Sequence, residues 1–224
     1  MSRSSDSDVP LKPQGRTGVE KLGHREYVGG RWDEIGSLQF GFLVSRGLKP
    51  EHYLLDIACG CLRLGVRAIP YLHPEHYLGI EKEAELVRAG LEEELDQATR
   101  ADRNPIIVVS SDFEFEKLGR QADFAIAQSL FTHLPVNVIE RCFEKLRPWL
   151  RDTGVLYATY FEVPQKRDNP SRPHDHDYFA YTREEMCAFG GAAGFVADYI
   201  GNWNHLRNQV MVEYKKRRKE ELGT

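Results

Sequence analysis

Leu54-Leu55-Asp56-Ile57-Ala58-Cys59-Gly60-Cys61-Leu62-Arg63-Leu64-Gly65 is the stretch on which the fold turns. The apolar run from Tyr53 to Cys59 has the length and character of a buried strand. It carries one acid, Asp56, passes a turn marked by Gly60, and continues into Leu64, Ala68, Ile69 and Leu72, which share one helical face. Strand, tight turn and helix in that order form the first half of a β-α-β unit.

The same alternation extends downstream. Tyr77 to Glu81 reads as a second strand, and Val87, Leu91 and Leu95 as the apolar stripe of an amphipathic helix. Ile106 to Val109 and Ala122 to Gln128 read as the third and fourth strands. Ile139, Cys142, Phe143 and Leu146 form the next helical face, and Gly154 to Val163 a fifth strand. Thr182-Arg183-Glu184-Glu185 has capping-box spacing and opens a helix that closes near Gly194. Phe195 to Ile200 and Gln209 to Tyr214 are spaced to pair as a hairpin. Upstream, Ile35, Leu38 and Phe42 make one face of a helix closed by Gly47 and Lys49-Pro50. The expected fold is therefore α/β: a doubly wound, mostly parallel seven-stranded sheet with an antiparallel C-terminal hairpin. One domain is expected over residues 19–214, with a helical lid at its start. A mobile tail (1–18) precedes it, and a charged tail (215–224) follows.

Composition narrows the function classes. In 224 residues, 41% are hydrophobic and 29% charged, which suits a globular core and excludes wholesale disorder. A formal net charge of -4 does not favour nucleic acid as a partner. No apolar run approaches the roughly 20 residues of a membrane-spanning helix, and the N-terminus has no apolar h-region. A cytoplasmic protein is expected. Cys59, Cys61, Cys142 and Cys187 are then read as reduced thiols.

In a parallel sheet, ligands bind at the carboxyl ends of the strands, beside the first strand-turn-helix. Three of those ends carry chemistry in register. Asp56 stands on the first strand. Glu81 ends the second, 25 residues later, where a carboxylate can accept both hydroxyls of a ribose. The third leads to Ser111-Asp112-Phe113, an acid and an aromatic ring where a nucleobase would lie. Together they point to a nucleoside. A nicotinamide dinucleotide needs G-x-G-x-x-G to close on a pyrophosphate, and only Gly60 and Gly65 are present, with Asp56 facing the phosphates. A ligand with an amino-acid moiety suits Asp56 better, because an ammonium can pair with it.

At these residues the sequence resembles the class I S-adenosylmethionine-dependent methyltransferases, over roughly residues 27–214. LLDIACGCLRLG, YLGIE, SSDFEF, ADFAIAQSLFTHLP and HLRNQVMVEY carry the resemblance, and Gly29 to Phe40 matches a G-G-x-W-x-x-x-G-x-L-Q-F segment found in one branch. The resemblance implies a Rossmann-like methyltransferase fold with S-adenosyl-L-methionine as cofactor. Asp56, Ala58 and Gly60 would lie along its methionine part, with Arg63 at its carboxylate. Glu81 would hold the ribose hydroxyls, Asp112 the adenine amino group and Phe113 the adenine face or its backbone contact. Gln128 would stand beside the sulfonium and contribute its carbonyl. Ala58 and Leu62 replace the first and third glycines of the family's turn. Leucine at the third position implies a turn that avoids positive φ there.

Methyl transfer needs positioning, water exclusion and, for some acceptors, a base. His133, after the fourth strand, is the candidate catalytic base. Trp32 and Tyr27 could fold over the cofactor as an aromatic lid. Residues 164–180 form a Pro-rich loop long enough to be a substrate lid, with His174 among its candidate contacts. His174-Asp175-His176-Asp177 offers two histidines and no evident third ligand, so a solvated loop is expected and no metal. The acceptor is expected to be a small molecule, with a protein side chain or cofactor binding without catalysis as alternatives. The sequence leaves the oligomeric state open.

Overall fold

The computed structural model describes residues 13–217, so most of the expected tails, 1–12 and 218–224, lie outside the described residues. Three helices come first: α1 (Gly15–Leu22), α2 (His24–Tyr27) and α3 (Trp32–Ser45). Then follow β1 (Leu54–Ile57), α4 (Gly65–Tyr71), β2 (Tyr77–Glu81), α5 (Ala84–Ala89), α6 (Gln97–Arg103), β3 (Ile106–Val109) and β4 (Ala122–Ala127). The chain continues through α7 (Val136–Leu146), β5 (Leu150–Glu162), β6 (Ala180–Tyr181), α8 (Arg183–Ala192), β7 (Phe195–Asn202) and β8 (Val210–Lys216).

The sheet order is β3-β2-β1-β4-β5-β8-β7, with β6 pairing the end of β5. Strands β1 to β5 run parallel, and β8 is antiparallel to both β5 and β7. The doubly wound sheet and the C-terminal hairpin agree with the expectation; β6 is an eighth strand that the sequence did not announce, being only two residues long. Three further differences are local. Helix α1 starts at Gly15, inside the expected tail, because Val19 is buried beneath it. Strand β8 runs to Lys216, where its ammonium meets Asp152 at 3.2 Å. The helix expected through Leu95 ends early: α5 stops at Ala89 and a π-turn covers Gly90–Glu94.

Side-chain alternation along the central strands supplies both faces of the sheet. Leu55, Ile57, Leu78, Ile80, Ala125, Ala127, Leu156 and Ala158 face one layer, where they pack with Ile139, Cys142 and Phe143 of α7 and Met186 and Phe189 of α8. Leu54, Tyr77, Phe124, Ile126, Val155 and Tyr157 face the other, against Leu43 of α3 and Ala68 and Ile69 of α4. A third, smaller cluster joins Val19, Tyr27 and Trp32 to Cys61, Leu86 and Ala89, and so seats the N-terminal helices over the β1 turn and α5. The capping box of α8 is complete, with Thr182 and Glu185 each bonding the other's backbone. All four cysteines are free thiols.

Candidate functional site

The β1–α4 connection positions the site. Ala58, Gly60 and Leu62 have φ of 61°, 56° and 65°, so alternate residues of the turn are left-handed. This corrects the expectation that Leu62 keeps the turn out of positive φ. The leucine side chain is wholly buried, and its Cβ and Cδ2 lie 2.8 and 3.1 Å from a Cβ built on Gly65. Burial of that side chain offsets a backbone strain of about 1–2 kcal/mol. Gly90 of the π-turn fits against the same turn: a Cβ there would fall 2.7 Å from Leu62 Cγ and 2.8 Å from the Cys61 carbonyl carbon.

The turn opens into a cavity of about 620 Å³ at the carboxyl ends of the parallel strands. Asp56, Ala58, Gly60, Arg63, Glu81, Phe113, Gln128, His133, Tyr27 and His174 all line it. Two expected residues do not. Trp32 is buried under α1 and α2 with the Arg25 guanidinium 5.0 Å above its ring, because left-handed Arg31 (φ 47°) reverses the chain just before α3. The wall instead receives Ile35 and Gln39 from α3. Asp112 turns outward to Lys145 (2.6 Å) and Arg141 (3.1 Å) on α7, and the Lys145 hydrogen bond with the Arg141 charge holds its carboxyl below the usual range. Left-handed Phe113 (φ 52°) sends its neighbour away and leaves Ser110, Ser111 and Phe113 at the cavity.

The two inward carboxylates differ. Asp56 accepts one hydrogen bond, from the Tyr77 hydroxyl at 2.7 Å, and burial raises its pKa to about 7 despite that bond and the nearby Arg63. Glu81 accepts from the backbone N–H of Gly60 (3.0 Å), Lys82 (2.8 Å) and Glu83 (3.0 Å). Burial still raises its pKa, but these three bonds oppose the shift. Arg63 donates to the carbonyls of Val28 and Gly30, both at 3.3 Å, and to Gln128 Oε1 at 2.7 Å. It makes no ion pair among the described residues, and burial lowers its pKa to about 10.

His133 follows β4 in a turn where left-handed Ser129 (φ 58°) reverses the chain. Burial lowers its pKa, so the ring is neutral at pH 7, and its buried Nδ1 has no hydrogen-bond partner. Its carbonyl accepts from the His174 N–H at 3.1 Å, which ties the 163–179 segment to the β4 end. That segment also grips the N-terminal helices. The Tyr27 hydroxyl donates to Asp175, Asp175 meets Lys82 at 2.7 Å, and His176 Nε2 lies 3.1 Å from the Pro13 carbonyl. His174 Nδ1 accepts from the N–H groups of His176 and Asp177 and so shapes the turn. Among the described residues no group of three or more His, Cys, Asp or Glu is arranged to hold a metal.

Sequence reasoning missed Gln39, Lys82, Asp175, Arg207 and Gln209 as wall residues. Gln39 and Gln209 lay inside the segments that carry the family resemblance; Asp175 lay in the loop singled out for its length. Arg207 lay in the same segment as Gln209, HLRNQVMVEY, whereas Lys82 gave no signal, since an isolated basic residue at a strand end reads as surface.

Comparison with solved structures places this architecture. The magnesium protoporphyrin IX methyltransferase of Synechocystis PCC 6803, with bound SAH, superposes with a TM-score of 0.64 at 13% identity, covering 90% of this chain and 95% of that one. The CcbJ methyltransferase of Streptomyces caelestis gives 0.63 at 12% identity, covering 82% and 90%. A protein of Nostoc punctiforme PCC 73102 assigned as an O-methyltransferase gives 0.61 at 16% identity; this chain is covered over 83% and spans 60% of the Nostoc protein's length. The chain has the class I methyltransferase fold. No family model matches it. Within that fold, the methyltransferase turn is here built with alanine and leucine at left-handed positions. No helix among the described residues is long and apolar enough to cross a membrane.

Proposed function

We propose that this protein is an S-adenosylmethionine-dependent methyltransferase that moves a methyl group to O, N or C of a small-molecule acceptor. The reading rests on one observation: Asp56, Glu81 and an acid-free Arg63 line the same cavity beside the methyltransferase turn. The fold of solved methyltransferases supports it.

The donor set suits the cofactor. Asp56 has one bond to tyrosine and lone pairs left for an ammonium. Arg63 has a planar fork suited to a carboxylate and is in ion-pair contact with no acid among the described residues. Glu81 keeps one of its roughly four lone-pair sites beyond the three backbone donors, which suits one ribose hydroxyl. Gly60 has Val28 Cγ1 3.2 Å from where a Cβ would stand, so a side chain there would push on the lid. Ser110, Ser111 and Phe113 form the adenine end, and Gln128 offers its carbonyl at the end of β4. When bound, the cofactor supplies an electrophilic methyl group on a sulfonium.

The chain's own residues do the rest. Tyr27, Asp175 and Lys82 hold the N-terminal helices and the 163–179 segment together across the cavity and exclude water. We assign proton acceptance to His133: a neutral imidazole takes the proton that a hydroxyl or amine acceptor loses as its bond to the methyl carbon forms. The cavity volume supports a small acceptor, since about 620 Å³ would hold cofactor and acceptor together. Free thiols at all four cysteines, three of them buried, support a cytoplasmic location.

Thermal unfolding with S-adenosylmethionine, S-adenosylhomocysteine and NAD tests the reading. A ligand at 100 times its Kd adds about 2.7 kcal/mol, which raises the Tm by several degrees. The expected result is a rise with the first two and none with NAD. A rise with NAD alone, or with none of them, overturns the assignment.

A further inference from the structure

The cavity runs along the strand ends from β3 and β2, across β1 and β4, to the segment joining β7 to β8. The cofactor reading above uses the β3, β2 and β1 end and, at the end of β4, the carbonyl of Gln128. The other end is walled by Gln39, Gln128, Ser129, Phe161, Arg207 and Gln209, with no acid among them. The acids of the cavity wall stand elsewhere: on β1, β2 and α2, at Glu83, and at residues 175–177.

Hydrogen bonding fixes the orientation of this wall. Arginine only donates, so its contact with Gln128 at 2.7 Å makes that atom the amide oxygen. The Gln39 atom 3.1 Å from the same oxygen must then be its NH₂ group. Gln39 Oε1 is left buried with no partner, on a residue only 3% exposed. Behind Gln128, the Thr159 and Ser129 hydroxyls donate to Gln209 Oε1 at 2.7 and 3.0 Å. Among the polar groups of this wall, the Gln39 oxygen is the one left buried without a donor. A buried acceptor without a donor is costly, and a ligand's N–H or O–H removes that cost.

The charge at this end is positive. Arg63 and Arg207 both donate only to neutral groups among the described residues: Arg63 to Val28, Gly30 and Gln128, Arg207 to the Gly29 carbonyl. Glu26, the wall's acid on α2, pairs with neither. His205, buried beside them and stacked on Trp203, is held neutral by burial and by both guanidiniums. If Arg63 takes the cofactor carboxylate, Arg207 remains as a cation at the acceptor end.

We propose that this end is an acceptor subsite for a carboxylate-bearing small molecule, with Arg207 gripping the carboxylate and Gln39 Oε1 accepting from a hydroxyl or amine of the same molecule. The proposal rests on the cofactor assignment, and its test separates the two. Protein saturated with S-adenosylhomocysteine is screened by thermal shift against matched fragments: aromatic and aliphatic hydroxy- and amino-carboxylates, their primary amides, and the corresponding ammonium compounds. Stabilisation confined to the carboxylates is expected. It should fall at least tenfold in apparent affinity in Arg207→Met and be largely restored in Arg207→Lys, while the shift from S-adenosylhomocysteine is retained in both. Because Arg207 is exposed, the variants are expected to fold. Stabilisation by the amides or ammonium compounds, carboxylate binding that survives Arg207→Met, or no carboxylate binding at all overturns the subsite. A missing shift with S-adenosylhomocysteine itself overturns the cofactor reading instead.

Discussion

At one end of the cavity, Asp56 and Glu81 stand on adjacent parallel strands and are held by a tyrosine hydroxyl and three backbone N–H groups. At the other, Gln39, Gln128 and Gln209 come from α3, the end of β4 and the approach to β8, and hold one another through amide and hydroxyl groups. The first end is charged and built around a backbone turn. The second is neutral except for its two arginines and is built of side chains. Charge on a backbone scaffold suits the invariant part of a reaction, here a cofactor. Amides that read donors and acceptors suit the part that sets specificity.

Removing the Glu81 carboxylate is the severest way to break the charged end. Glu81→Ala deletes the proposed ribose contact and leaves the N–H groups of Gly60, Lys82 and Glu83 without their acceptor. Hydrogen bonds to a charged group contribute about 1.5–3 kcal/mol, so S-adenosylhomocysteine should bind on the order of 100-fold more weakly by calorimetry. Unchanged affinity would remove Glu81 from the cofactor site.

Gly90→Ala attacks the same turn from behind. The new Cβ would meet Leu62 Cγ at 2.7 Å and the Cys61 carbonyl oxygen at 2.9 Å. Overpacking of this kind costs about 1–3 kcal/mol, read as a lower midpoint in urea with an unchanged m-value. Gly191→Ala, with nothing within 4 Å and a place in α8, is the contrast and should raise the midpoint slightly through helix propensity.

Asp56 makes the charged end sensitive to pH. Its folded pKa is raised to about 7 by burial. Only the carboxylate pairs with an ammonium, so affinity should fall as pH drops through 7, by about tenfold per unit well below it, and Asp56→Asn should flatten the profile. Stability of the ligand-free protein should move the other way. Between the unfolded value of about 3.9 and about 7, the folded state binds the extra proton. The contribution of Asp56 is thus full below pH 4 and lost as pH rises through 7. An affinity profile flat from pH 8 to 6 would show that Asp56 does not meet the ammonium.

The same contrast explains what the sequence disclosed. Asp56, Gly60 and Glu81 were legible because a parallel sheet puts successive strand ends side by side, so order along the chain becomes proximity in space. Gln39, Arg207 and Gln209 were not, because their meeting depends on how α3 and the β7–β8 segment fold over β4, which no local period encodes. Asp112 and Trp32 lie between these cases. Each sits in a recognisable segment, but one left-handed residue beside it, Phe113 or Arg31, decides which way the chain faces. A single backbone dihedral outside the usual regions is invisible to side-chain patterning.

The smallest expected effect is that at Ala58, one of the two non-glycine residues of the turn. Ala58 and Leu62 occupy the left-handed region at nearly the same φ, 61° and 65°, but only Leu62 has a large side chain to set against the strain. Ala58→Gly relieves about 1–2 kcal/mol of strain and gives back roughly 0.5–1 kcal/mol through the freer unfolded chain. The net should be a gain of about 0.5–1 kcal/mol in chemical denaturation, with affinity for S-adenosylhomocysteine equal or better. Leu62→Gly relieves the same strain but empties a fully buried site, and the cavity term of about 2–5 kcal/mol outweighs the relief. Opposite signs at two positions of equal φ would establish that leucine is held in this turn by packing. Equal signs would mean that the backbone there relaxes once the side chain is gone.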